Sequence, residues 1–144
     1  RSRPGGVART CEGTGAILEP GVVAAGNNGA ILRAAEAAGL AVRGLHLVRL
    51  DVSRLRAFYA EHLEKPFYPE LEAFMLEGPV VLAVLEGEDA IARWRALLGT
   101  TDPAKAAPES LRRLYGEDLT RNGVHGSDGP ASATRELGLM AELL

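Results

Sequence analysis

Near the end of the chain a histidine stands among small residues, in the run Arg121-Asn122-Gly123-Val124-His125-Gly126-Ser127-Asp128. A neutral imidazole can attack phosphorus and carry the phosphoryl group as an N-linked intermediate, provided one ring nitrogen is free and an acceptor orients the other. Glu136, eleven residues further on, is a candidate for that acceptor. The flanking glycines, Gly123 and Gly126, leave room for a substrate to approach. The same run also describes a structural, hydrogen-bonded histidine, the commoner fate of an isolated imidazole. Of the other histidines, His46 falls in an alternating, strand-like stretch and His62 on the surface of a helix.

Such a residue needs a framework, and the apolar pattern supplies one. Ala16-Ile17-Leu18 ahead of Pro20-Gly21 predicts a short buried strand closing in a turn, because proline cannot donate to a continuing ladder. Ile31, Leu32, Ala35 and Ala38 recur at helical spacing over 29–38, with Asn28 near the start and Gly39 as the C-terminal cap. A second strand is expected over 41–50, where Leu45, Leu47 and Arg49 alternate with Val42, Gly44, His46, Val48 and Leu50. Asp51 or Ser53 then caps a helix running to Leu63, a short helix follows over 69–76, and the apolar run 80–85 has the length of a strand.

Residues 88–98 predict a helix presenting Ile91, Trp94, Ala96 and Leu98. From 99 to 124 the pattern is irregular apart from a short helix over 109–115, and so long an irregular stretch inside a domain usually has a function of its own. A strand near Val124 and an apolar-striped helix over 131–144 close the chain. This order predicts an α/β (α+β) fold of the ferredoxin-like β-α-β-β-α-β type, a four-stranded antiparallel sheet covered by helices on one face. Residues 1–15, rich in Gly and Arg and poor in large apolar groups, are expected to form a flexible N-terminal arm, and 16–144 one folded domain.

Bulk properties narrow the classes of function. With 144 residues, 47% of them hydrophobic and 24% charged, the chain has the make-up of one soluble globular domain. Its net charge of −3, with basic and acidic residues interspersed, offers no groove for nucleic acid. One cysteine, Cys11, rules out an intramolecular disulfide and a cysteine-built metal cluster, which fits a reducing compartment. No apolar run reaches the roughly 18 residues that span a bilayer, so no membrane partner is expected. An intracellular, cytoplasmic setting is expected, with ciliary and organellar locations left open.

The run Asn122-Gly123-Val124-His125-Gly126-Ser127-Asp128 closely resembles the active-site signature of the nucleoside diphosphate kinase family. The resemblance extends to Phe58-Tyr59-Ala60-Glu61-His62, Pro66-Phe67-Tyr68-Pro69-Glu70-Leu71, Phe74-Met75 with Gly78-Pro79-Val80, and Gly99-Thr100-Thr101-Asp102-Pro103, covering about residues 16 to 139. It implies that His125 carries the phosphoryl group, that Glu136 orients its ring, that Ser127 hydrogen-bonds the glutamate and that Tyr59 lies close to the histidine. Phe67 would stack on the base, a contact nearly blind to base identity because every base offers a π face. Arg95, Thr101 and Arg112 match positions that bind phosphates, Asn122 the position that contacts the sugar hydroxyl, and Gly126 adjoins the nucleotide. Mg2+ would arrive with the nucleotide, with no metal site of the protein's own. The implied partners are nucleoside tri- and diphosphates, and further copies of the chain in a hexamer, a tetramer or a larger assembly, with Pro103 in the loop used for subunit contacts.

One departure stands out. The family's first strand normally ends in Lys-Pro-Asp-Gly, with the lysine on the nucleotide's phosphate and sugar, whereas here it ends Leu18-Glu19-Pro20-Gly21-Val22, placing Glu19 at the lysine position. An anion in place of a cation removes an attraction and adds a repulsion, each about 3 kcal/mol at about 5 Å with an effective dielectric near 20. A phosphotransferase of reduced activity is the expectation, and a catalytically impaired nucleotide-binding or structural domain of a larger assembly is the alternative. Transfer from His125 to a protein acceptor is a third possibility that nothing in the sequence selects. Residues 108–116 also depart from the Pro-Gly-Thr-Ile-Arg of common members and are similar to a divergent branch, some of whose members are built into cilia.

Overall fold

The computed structural model describes residues 11–143, so that positions 1–10 of the expected arm lie outside the described residues. Strands β1 (Cys11–Leu18), β2 (Ala41–Val48), β3 (Val80–Glu88) and β4 (Val124–Gly126) make one antiparallel sheet in the order β2-β3-β1-β4. The helices are α1 (Pro20–Ala24), α2 (Asn28–Ala37), α3 (Val52–Phe58), α4 (Tyr68–Met75), α5 (Ala90–Leu98), α6 (Leu111–Tyr115) and α7 (Pro130–Ala141). This is the ferredoxin-like, four-stranded antiparallel arrangement that the sequence predicts.

Helices cover both faces of the sheet, not one. Adjacent residues of the central strands are buried on opposite sides: Ala16, Leu18, Val81, Ala83 and Leu85 pack with Ile31, Ala35, Trp94 and Leu98. On the other side Ile17, Val80 and Leu82 pack with Leu55, Phe58, Phe74, Met75 and Met140. A strand buried on both faces reads as a continuous apolar run, which is why Ala16-Ile17-Leu18 shows no alternation. The outer strand β2 does alternate, with Leu45 and Leu47 51% and 61% exposed.

The strand expected at Ala16 begins at Cys11, so residues 11–15 belong to the sheet and not to an arm. The glycines that read as a loose segment permit close packing. A Cβ on Gly13 would meet Leu137 Cδ1 at 3.1 Å, and one on Gly15 would meet Met140 Cε at 3.0 Å, both on α7. β3 correspondingly runs on to Glu88, three residues beyond the apolar stretch, because its outer end pairs with Cys11 and Glu12.

Two local differences bear on the site. The turn expected at Pro20-Gly21 is the short helix α1, since proline's missing N–H costs nothing at the first helical position. The helix expected to reach Leu63 is capped as predicted by Asp51, whose carboxylate accepts the Arg54 N–H at 2.8 Å, but α3 ends at Phe58 and a 3₁₀ turn, Ala60–His62, follows. Side chains three apart on so tight a turn stack on one side. The rings of Tyr59 and His62 accordingly lie 6.3 Å apart.

Candidate active site

Strand β4 is only three residues long, and its register decides what each of them faces. Val124, His125 and Gly126 pair with Leu18, Ile17 and Ala16. Directly opposed residues of an antiparallel pair share a face. His125 therefore projects on the side of Ile17, toward Tyr59 and α7, while Gly126 turns to the side that holds Trp94. A Cβ on Gly126 would lie 2.7 Å from Trp94 Cδ1, so the glycine expected to make room for substrate makes room for an indole. The same indole donates from Nε1 to the carbonyl of His125 at 3.3 Å, fixing the strand from beneath. Gly123, with φ of 90°, supplies the left-handed backbone leading into the strand.

The His125 ring is held from one side. Its Nε2 lies 2.6 Å from Glu136 Oε1, and Glu136 on α7 is only 2% exposed. An ionised carboxylate can only accept, which places the proton on Nε2 and the lone pair on Nδ1. Among the described residues no hydrogen-bond partner reaches Nδ1. Ser127, fully buried, accepts the Gly15 N–H at 3.2 Å and donates to Glu136 Oε1 at 3.4 Å. Arg135 Nη2 lies 3.8 Å from the other carboxylate oxygen. Tyr59 stands 5.3 Å from the His125 ring, centroid to centroid. Its hydroxyl is held well above the usual phenol range by burial, reinforced by the charges of Glu19 and Glu136, so it stays protonated.

His125 opens onto a cleft of about 370 Å³. Phe67, 47% exposed, stands at its rim with the His62 ring 5.9 Å away. Leu71 and Leu119 add apolar lining, and Arg95, Thr101, Arg112 and Asn122 add polar lining. Every residue given a catalytic or nucleotide-binding role in the sequence thus lines the cleft, except Glu136 and Ser127, which support His125 from behind. His62, Leu71, Leu119, Thr120 and Asp128 line it as well. His62 reads in the sequence as a surface helix residue, and only the break after Phe58 swings it inward. Pro103, expected in a subunit-contact loop, is buried within its own chain, where its Cγ would lie 2.7 Å from a Cβ on Gly116.

Several polar groups already have partners. Arg95 Nη1 donates to Asp128 Oδ1 at 2.8 Å, both side chains about half exposed. Arg112 donates from Nη1 to the Gly99 carbonyl at 3.0 Å and from Nη2 to the Val124 carbonyl at 3.2 Å, and its buried Nε has no hydrogen-bond partner among the described residues. Asn122 Nδ2 donates to the Leu119 carbonyl at 3.2 Å. At the edge of the cleft Glu61, His62 and Asp128 bring potential metal-ligand atoms within 4.8 Å of one another. Glu61 is taken up by Arg135 and by Ser132, whose hydroxyl donates to it at 3.2 Å.

Glu19 turns inward. It is 2% exposed, lines the cleft, and accepts the Gly123 N–H on Oε1 at 2.7 Å while its backbone N–H donates to the Gly123 carbonyl at 2.9 Å. Burial pushes its carboxyl up from 4.5 to about 7, against the opposing pull of the Gly123 hydrogen bond and of Arg112. A raised carboxyl pKa means that the folded state keeps a proton which the unfolded chain releases. Stability from this group is therefore full below pH 4.5 and is lost as pH rises through 7. The loss amounts to roughly 3 kcal/mol. Glu19→Gln can still accept the Gly123 N–H, so it is expected to melt higher than the parent above neutral pH and to lose the decline. Thermal melts from about pH 5 to pH 8 check this.

Comparison with known proteins agrees along nearly the whole chain. The sequence profile of the family described as nucleoside diphosphate kinase matches residues 12–142. The nucleoside diphosphate kinase of Desulfovibrio desulfuricans is 46% identical over 127 residues, covering 88% of this chain and 91% of the relative. Among solved structures, the Aquifex aeolicus nucleoside diphosphate kinase superposes with a TM-score of 0.88 at 40% identity, covering 91% of this chain and 95% of that one. A halophilic nucleoside diphosphate kinase from Halobacterium salinarum, in complex with CDP, gives 0.86 at 38% identity, covering 90% and 87%.

Proposed function

This chain belongs to the nucleoside diphosphate kinase family, and from that premise we propose that it moves the terminal phosphoryl group of a nucleoside triphosphate to a nucleoside diphosphate by way of His125. The observation that carries this is the division of labour on one ring: Nε2 is engaged by buried Glu136 while Nδ1 stands open to a cleft lined by two guanidiniums and an exposed aromatic.

The Nδ1 lone pair forms a bond to the terminal phosphorus as the bond from phosphorus to the bridging oxygen breaks, and the electron pair leaves with the diphosphate. A second diphosphate then attacks through a terminal oxygen and takes the phosphoryl group, returning the neutral ring. The Nε2 proton stays on the ring throughout. Glu136 offsets the positive charge that develops on the imidazole, and Ser127 and Arg135 keep that carboxylate in place. Arg95, exchanging Asp128 for phosphate, and Arg112 balance charge on the transferring group, with Thr101 beside them and Asn122 toward the sugar. The base lies against Phe67, between Leu71 and Leu119. CDP bound to the Halobacterium relative is a nucleotide of the size this cleft would take.

Magnesium enters as part of the nucleotide substrate. With Glu61 committed elsewhere, Asp128 is the carboxylate left to meet it, which suits an ion that keeps its waters and phosphate oxygens better than it would suit a protein cage. Assembly into hexamers or tetramers belongs to the same proposal, and exposed Leu45 and Leu47 on the outer strand β2 offer apolar surface for it. Among the described residues no helix is long and apolar enough to cross a membrane.

Incubation with ATP labelled in its terminal phosphate tests the proposal. An acid-labile, base-stable phosphoprotein that surrenders its label to added GDP is expected, and a protein that takes up no label overturns it.

A further inference from the structure

We infer that Glu19 binds the nucleotide as a neutral carboxylic acid whose O–H donates to the polyphosphate, so that each nucleotide bound takes up a proton. This rests on the nucleotide site proposed above.

The geometry leaves the carboxyl little choice. Glu19 is 2% exposed and lines the same cleft as His125, so its charge cannot be screened by bulk water when a polyanion fills that space. Its position is fixed at both ends of the residue, by the Gly123 N–H on Oε1 and by its own N–H on the Gly123 carbonyl. Swinging outward would leave the Gly123 N–H unpaired in a buried place. Among the described residues no group donates to Oε2, and no cation lies within ion-pair distance of the carboxylate. The cation in closest electrostatic contact, Arg112, spends both terminal nitrogens on backbone carbonyls.

The surroundings favour the neutral form already. Arg112 faces the carboxyl from α6, Asp118 from the following loop, and Tyr59 from the end of α3, with His125 on β4 and Arg95 on α5 across the cleft. Arg112 opposes protonation and Asp118 assists it, while burial outweighs both and brings the carboxyl to about 7. Two or three further negative charges arriving on the phosphates push in the same direction as Asp118. Protonation then converts the repelling group into a hydrogen-bond donor, without moving a heavy atom.

Calorimetric titration of ADP into the protein at about pH 8, in buffers of different ionisation enthalpy, measures the proton directly. Uptake of roughly one proton per nucleotide is expected in the parent and none in Glu19→Gln. ADP affinity should fall about tenfold per pH unit above pH 7.5 in the parent and stay nearly level in the variant. Infrared difference spectra of the unmutated protein give an independent reading: ADP should raise a protonated-carboxyl band that shifts in heavy water. ADP binding with no proton uptake and no such band overturns the inference while leaving the kinase reading intact, as would a carboxylate held on magnesium. Absence of both ADP binding and phosphoprotein formation removes the nucleotide site itself.

Discussion

Replacing His125 by alanine is expected to abolish the phosphoprotein and to lower phosphoryl transfer from ATP to GDP by at least about 10⁴-fold, more than 5 kcal/mol in transition-state terms. Without the imidazole the two nucleotides would have to react directly, and a cleft of about 370 Å³ does not hold two of them face to face. The substitution should leave the fold standing. The ring is partly exposed at the floor of the cleft, and the strand that carries it is fixed through backbone contacts, to β1 on one side and to the Trp94 indole below. Glu136 loses its ring partner but keeps the Ser127 hydroxyl. Affinity for ADP should change less than about threefold, because the ring supplies chemistry and little binding surface. Quantifying label, turnover and ADP affinity on one preparation checks all three. Label surviving in His125→Ala but absent in His62→Ala would move the nucleophile to the histidine at the cleft's rim.

Glu19→Lys is expected to raise kcat/KM for GDP phosphorylation by about 100-fold at pH 8.5, where the free parent carries a buried anion that must take up a proton before the phosphates can bind, and by much less at pH 6. The sign follows from the direction of the shift: the parent's carboxyl, raised to about 7, is neutral at the acid end and has no repulsion left to remove. The lysine has a structural cost. It cannot accept the Gly123 N–H that Glu19 holds at 2.7 Å, and an unpaired buried donor costs about 1–3 kcal/mol. A lower melting temperature together with a higher rate is therefore the expected pair. Rate profiles of both proteins from pH 6 to pH 9 decide the matter, and a ratio near one throughout would mean that the charge at this position is not felt by the nucleotide.

Much of the scaffold was legible from local pattern. The helix spacing of Ile31, Leu32 and Ala35, the strand-length run from Val80 and the capping Asp51 each report a preference enforced within a few residues, and the ferredoxin-like order followed from them. What was misread involves partners far along the chain. Gly13 and Gly15 look like loop residues until α7 lies across them, more than a hundred residues later. Gly126 looks like an opening for substrate until its register against Ala16 turns it toward Trp94. His62 looked solvent-facing because periodicity does not reveal that α3 stops at Phe58 and tightens into a 3₁₀ turn.

The site divides in the same way. Residue types and their spacing were enough to single out an imidazole, a carboxylate eleven residues on, two guanidiniums and an aromatic, and to flag an acid where the family resemblance places a base. They said nothing about which ring nitrogen would be open, because that depends on α7 delivering Glu136 to Nε2. Nor did they say whether Glu19 would be a charge or a proton donor. That depends on contact with Gly123, 104 residues away, and on exclusion of water by the helices around it. Ionisation answers to the dielectric and the partners at a point in space, and those exist only once distant segments have packed.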